Sequence, residues 1–156
     1  MDDVQLANWH AGIDAGPVEV YRIFEPILTR ALGIESGAVV WLSDYTLNKT
    51  RFKHKEINFQ DYQQMQRILS NGFVSPGNKQ HSIEVIHADL SETPYKFWRV
   101  CLKGTARDEV FVTMFHRSHL KDARRLYRRA HRKEIVLRDH SEAPIRHLLG
   151  RIGAHV

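Results

Sequence analysis

Apolar residues return along the chain at two different spacings, and the switch between them sets the expected order of elements. Residues 1–15 follow neither spacing and read as a loose arm. Pro17 suits the first turn of a helix, and Val18, Tyr21, Phe24, Ile27, Leu28 and Ala31 then recur at helical intervals. Pro26 should kink or split that helix, and Gly33 should stop it. Ala38 to Ser43 is a short apolar run of β-formers, expected to be a buried strand. Residues 44–57 have no clean period. Asn58 then caps a helix, with Asp61 three residues on in the manner of a capping box. Phe59, Tyr62, Met65, Ile68 and Leu69 form its apolar stripe, and Asn71-Gly72 ends it.

After the turn-rich stretch Ser75 to Asn78 the spacing changes to two. Ile83, Val85 and His87 alternate with Ser82, Glu84 and Ile86. From Tyr95 to Lys103 the alternation is clearer, with Trp98, Val100 and Leu102 on one face and Phe97, Arg99, Cys101 and Lys103 on the other. A short connection through Gly104 and Asp108 leads to a third run, Val110 to Phe115, so these strands should be antiparallel neighbours. A helix is expected from about Ser118 to Lys133, burying Leu120, Ala123, Leu126, Tyr127 and Ala130. In the tail, Ile145, Leu148, Leu149 and Ile152 have the spacing of a short docking helix. The expected class is α+β: N-terminal helices packed on a curved antiparallel β-sheet, with a basic C-terminal helix. Residues 1–37 would be an arm and helical segment, 38–133 the main domain, and 134–156 a tail.

Composition narrows this little until charge is considered. The chain has 156 residues, a size that supports one hydrophobic core, and its 42% hydrophobic and 26% charged residues argue against disorder. No run approaches the roughly 20 apolar residues of a membrane span, and MDDVQLANWH lacks the layout of a signal peptide. Neither membrane attachment nor secretion is expected. The single cysteine, Cys101, excludes an internal disulfide and a cysteine-based zinc site. Lys and Arg total 23 against 18 acids, for a net charge of +5. That excess favours a polyanionic partner, RNA first.

Three groups of residues carry candidate chemistry. Lys121, Arg124, Arg125, Arg128, Arg129, Arg132 and Lys133 crowd one side of the 118–133 helix. They suit several phosphates, and equally an acidic protein or a plain solvated face. On the odd-numbered face of the 95–103 strand stand Arg99 and Lys103, with Thr105 just beyond. If the neighbouring strand offers the same parity, Phe111, Thr113, Phe115 and Arg117 join them, either as a phosphate-and-base surface or as a half-buried sheet. Finally, His54 sits in the basic cluster Lys49, Arg51, Lys53 and Lys55, and His116 ends a strand. Imidazoles titrate near neutrality and can pass protons in phosphoryl transfer. His116 and His119 could chelate a metal together, but no third ligand stands at a telling spacing and HExxH is absent, so neither metal nor cofactor is expected. Cys101 lies mid-strand and reads as inert packing.

The series Val40-Trp41-Leu42-Ser43-Asp44-Tyr45-Thr46, Lys53-His54, Asp61-Tyr62, Arg99-Val100-Cys101-Leu102-Lys103-Gly104-Thr105 and Val112-Thr113-Met114-Phe115-His116-Arg117 resembles the phage-associated branch of the barnase–EndoU–colicin–RelE nuclease superfamily. The resemblance covers about residues 38–130. It implies a helix packed on a curved antiparallel sheet, whose open face cleaves RNA without metal by 2'-hydroxyl attack, leaving a cyclic phosphate. It also implies action within a bacterial cell or a place in a phage virion. On this resemblance His54, Lys103, Thr105, Thr113, His116 and Arg117 are the catalytic candidates. His54 would take the proton of the attacking hydroxyl, Lys103 and Arg117 would stabilise the charged phosphorane, Thr105 and Thr113 would hold the phosphate, and His116 would protonate the leaving oxygen. Lys53, Arg99, Lys121, Arg124, Arg125 and Arg128 would bind the nucleic acid. The alternative is a non-catalytic virion structural or adaptor protein that docks through its basic helix and apolar tail. Convergence of His54, Lys103 and Thr113 in an open cleft would mark the enzyme, and their scattering or burial in a subunit contact the adaptor.

Overall fold

The computed structural model describes residues 3–150. Its chain is α+β, a curled and mostly antiparallel seven-stranded sheet in the form of a half-barrel, with helices on both faces. The strands are β1 (Val18–Ile23), β2 (Ala38–Leu42), β3 (Phe73–Pro76), β4 (Ser82–Asp89), β5 (Lys96–Gly104), β6 (Val110–Arg117) and β7 (Arg138–Asp139), in the order β1-β2-β6-β5-β4-β3-β7. Among the described residues the one parallel pairing is β2 with β6, over Val40–Trp41 and Val110–Phe111. The helices are α1 (Asp3–His10), α2 (Pro26–Leu32), α3 (Asp44–Lys53), α4 (Phe59–Gln63), α5 (Met65–Asn71), α6 (Leu120–Arg132) and α7 (Ala143–Leu149). Among the described residues no helix is long and apolar enough to cross a membrane.

Two apolar cores hold these layers. The larger joins one face of the sheet, through Val85, Trp98, Val100, Val112 and Phe115, to Leu6 and Trp9 of α1 and to Tyr62, Met65 and Ile68 of α4 and α5. The smaller lies on the opposite face at the β3–β5 end. There Phe73, Ile86, Ala88 and Phe97 meet Ala123 and Tyr127 of α6 and Ile145 and Leu149 of α7. The tail helix therefore docks within the chain, while Ile152 falls outside the described residues.

The first 43 residues depart most from expectation. The arm contains α1, anchored by buried Leu6 and Trp9, and the Trp9 indole N–H donates to Asp44 at 2.9 Å. Residues 18–23 form a strand where a helix was expected, since Val18 to Ile23 pair antiparallel with Leu42 to Ala38. The following helix begins at Pro26, whose missing N–H costs nothing in the first turn. Gly33 does stop that helix, in the left-handed conformation at φ 67°. The unpatterned stretch after residue 43 is α3, capped by Ser43, whose side chain accepts from the Thr46 N–H at 3.2 Å. Asn58 and Asp61 form the complete capping box, but the expected single helix is two short ones meeting at Gln64. Phe73–Pro76, whose last two residues fall at the start of the expected turn-rich stretch, is a strand paired to β4.

His87 on β4 gives the fold a pH dependence. Its side chain is packed beside Trp98 with 3% of its surface exposed, and neither ring nitrogen has a hydrogen-bond partner among the described residues. Burial, aided by the charge of Arg67 and opposed by Asp89, pushes its pKa down to about 4. The folded chain thus refuses a proton that the unfolded chain accepts below about pH 6.5. Stability is complete above that value and declines as the pH falls towards 4, by roughly 3 kcal/mol at about 1.36 kcal/mol per unit. Urea melts at pH 7 and pH 4.5 should show this loss in wild type, and His87→Phe should remove most of it.

Candidate active site

The site is built where β5 and β6 pair next to the end of α3. On β5, Phe97, Arg99, Cys101 and Lys103 share the face turned away from the larger core. The register sets Arg99 opposite His116, Cys101 opposite Met114 and Lys103 opposite Phe111. A bulge between Cys101 and Leu102 adds one residue, Thr113, on β6. One extra residue inverts the alternation beyond it. Hence Phe111 shares the face of Lys103, as expected, but Phe115 and Arg117 do not share it with Arg99. Phe115 instead pairs with Val100 in the core, Arg117 pairs with Trp98, and His116 takes the place beside Arg99. Helices α6 and α7 cover this face only near Phe97 and Ile86. Towards the other end Lys103 is exposed, and Cys101, Phe111 and Met114 are half-buried.

Beyond its short pairing with β2, the edge of β6 is taken up by α3. Thr46 donates its hydroxyl to the Val112 carbonyl at 2.9 Å, and Lys49 donates to the Thr113 carbonyl at 2.6 Å. This places His54, the C-cap of α3, against His116. The two imidazoles stack with centroids 4.9 Å apart and planes 21° from parallel. His116 Nδ1 lies 2.9 Å from the Arg117 carbonyl. A carbonyl can only accept, so a neutral His116 carries its proton on Nδ1 and leaves Nε2 as an acceptor. Burial, helped by His54 and Arg99 and opposed by that carbonyl bond, holds His116 below the usual histidine range. On the other ring, His54 Nδ1 is 3.6 Å from the Glu56 carboxylate.

The stacked pair lines an open cleft of about 470 Å³, together with Glu56, Arg99, Arg117, Ser118, His119 and residues 122, 125 and 126 of α6. The cleft continues past Glu56, Arg117, Ser118 and His119 into a larger one of about 890 Å³ bordered by Asp89, Tyr95 and Lys96. Each guanidinium here has a carboxylate partner. Arg99 meets Glu84 at 2.7 Å, Arg125 meets Asp122 at 2.8 Å, and Arg117 meets Asp61 at 3.2 Å. Asp61, only 1% exposed, also accepts the Trp98 indole N–H at 2.9 Å and the Asn58 backbone N–H at 2.8 Å. These pairings fix the arginines in place and offset much of their charge.

The remaining candidates lie apart from this cleft. Lys103 sits four residues along β5 from Arg99, about 13 Å at strand rise, and pairs with Ser82 and Phe111. Thr105 opens the next turn, where its hydroxyl accepts the Arg107 N–H at 3.3 Å. Thr113 donates its hydroxyl to the Cys101 carbonyl at 3.2 Å. His54, Lys103 and Thr113 therefore do not converge. Lys53 is exposed at the end of α3, and Lys121 and Arg128 are exposed on α6, as is Arg125, which borders the cleft. Arg124 differs from them, since its Nε donates to the Leu148 carbonyl at 2.7 Å and ties α6 to α7. Burial pushes the Cys101 thiol up to about 11, leaving it protonated and unreactive at neutral pH. Among the described residues no group of three His, Cys, Asp or Glu side chains is placed to hold a metal ion.

Sequence reasoning missed Glu56 and Ser118, and noted His119 only as a metal ligand. Glu56 had a local signal in standing two residues after His54, whereas Ser118 and His119 join the cleft because the chain turns there from β6 into α6. No protein-family model, no curated protein and no solved structure matches the chain.

Proposed function

We propose that this chain is a metal-independent RNA endonuclease of the barnase–EndoU–colicin–RelE type, acting through its own imidazoles. The observation that supports the reading most is the stacked His54–His116 pair in an open cleft with fixed arginines on its walls. The curled sheet with its open face agrees with the architecture that the resemblance implied. His116, held neutral by burial and with no hydrogen-bond partner on Nε2 among the described residues, takes the 2'-hydroxyl proton. His54, whose Nδ1 lies 3.6 Å from the Glu56 carboxylate, returns a proton to the leaving 5'-oxygen. These roles are the reverse of the sequence-based expectation. Arg99 is the cation closest in register to His116, so it takes over the phosphorane contact expected of Lys103. The exposed Lys121, Arg125 and Arg128 of α6, and Lys103 farther along the sheet, hold neighbouring phosphates. The apolar side of α7 packs within the chain and so gives an adaptor no free docking face there, although the scattering of His54, Lys103 and Thr113 is the arrangement expected of an adaptor.

A DNA strand carrying a single ribonucleotide tests the chemistry. Cleavage is expected only on the 3' side of the ribose, and undiminished in excess EDTA. Cleavage at deoxynucleotides, or loss of activity with chelator and recovery with a divalent ion, overturns the proposal.

A further inference from the structure

Helix α3 leads into the histidine stack and leaves two large aromatic side chains on its outer side. Tyr45 and Phe52 are 75% and 80% exposed. Seven residues apart on a helix, they stand on one face two turns from each other, with Lys49 between them. The Lys49 ammonium lies 5.7 Å from the centre of the Tyr45 ring and donates to the Thr113 carbonyl. That contact sets the Tyr45 end of this face at the rim of the open sheet. Phe52 stands two residues before His54.

Charge determines which partner this face fits. Arg51, Lys53 and Lys55 are all exposed around Phe52. Asp44, the acid of the first turn, is committed to the Trp9 indole and the Gly16 N–H, each at 2.9 Å. The rings therefore stand among cations instead of within an aliphatic patch. Flat π surfaces alternating with positive charge match a strand that alternates unpaired bases with phosphates. Rings about 10 Å apart along a helix can each hold a different base of one strand. A duplex has no free base faces to offer.

We propose that the outer face of α3 is a stacking platform for single-stranded nucleic acid, with bases on Tyr45 and Phe52 and phosphates near Lys53 and Lys55. Where it names the substrate of the histidine cleft as single-stranded RNA, the proposal rests on the nuclease reading. The platform itself does not.

The test is fluorescence anisotropy with a labelled single-stranded 2'-O-methyl RNA, which has no free 2'-hydroxyl and reports binding whether or not the protein cuts. Tyr45→Ala and Phe52→Ala should each weaken binding by roughly five- to 100-fold, and Phe52→Trp should keep it near wild type. A duplex of the same sequence should bind more weakly and respond to none of these changes. Both side chains are largely exposed, so circular dichroism should be unaltered. No wild-type binding to the single strand, unchanged affinity in the double alanine variant, or an equal loss for duplex would overturn the proposal. Loss of single-strand binding in a protein that cuts no RNA would leave the platform standing and remove only the nuclease reading.

Discussion

His116→Ala lowers the rate of RNA cleavage by about 100-fold or more, the scale of a lost general base, with little change in thermal stability. His116 is half-buried at the cleft wall, its hydrogen bond is to its neighbour's carbonyl and its ring stacks on His54 at the cleft, so removing it takes away chemistry more than core packing. His54→Ala should lose activity on the same scale, and the double variant should lose little more than either alone, because the two act as a unit. Lys103→Met should have a much smaller effect, raising KM more than it lowers kcat, since the lysine lies at the far end of the open face. The pH profile carries a further signature. A base must be unprotonated, and His116 sits below the usual histidine range. The acidic limb of kcat/KM should therefore fall below the pH at which an ordinary histidine titrates.

Asp61→Ala destabilises the fold by about 3 kcal/mol, because it removes a buried carboxylate that satisfies a buried indole, a helix cap and a partly exposed arginine. One carboxylate serves three elements here. It closes the capping box of α4, accepts the Trp98 indole N–H from β5, and holds Arg117 of β6 through both Nε and Nη2. Alanine leaves the buried Trp98 indole without its acceptor and the partly exposed Arg117 guanidinium without its partner. Asp61→Asn should cost less, because its amide oxygen can still take the indole proton. Arg117→Met should also destabilise, by stranding the carboxylate. Chemical denaturation orders the three. Equal stability of Asp61→Ala and wild type would show that the triple contact contributes nothing net.

The regular elements that announce themselves locally were legible in the sequence. The Asn58–Asp61 box, the alternation of β4 and β5 and the stripe of α6 depend on neighbours a few residues away. β1 was misread because Val18, Tyr21 and Phe24 also satisfy a helical period, and only pairing with β2 decides between them. α3 was hidden because its buried side includes Thr46 and Thr50, which do not count as apolar in a pattern. The site was legible as a set of residue types but not as a geometry. The bulge at Thr113 slips the register of β6 without any change in spacing, exchanging Phe115 for His116 on the face of Arg99. Nothing in either local segment tells that His54 and His116, 62 residues apart, stack.

The most direct measurement compares wild type and His116→Ala on a mixed RNA pool in excess EDTA. Product ends should be read by mass spectrometry over a time course. Wild type is expected to release fragments ending in 2',3'-cyclic phosphate, at a rate about 100-fold or more above that of the variant. Equal rates for the two proteins, no cleavage by either, or ends carrying a simple 3'-hydroxyl would contradict it.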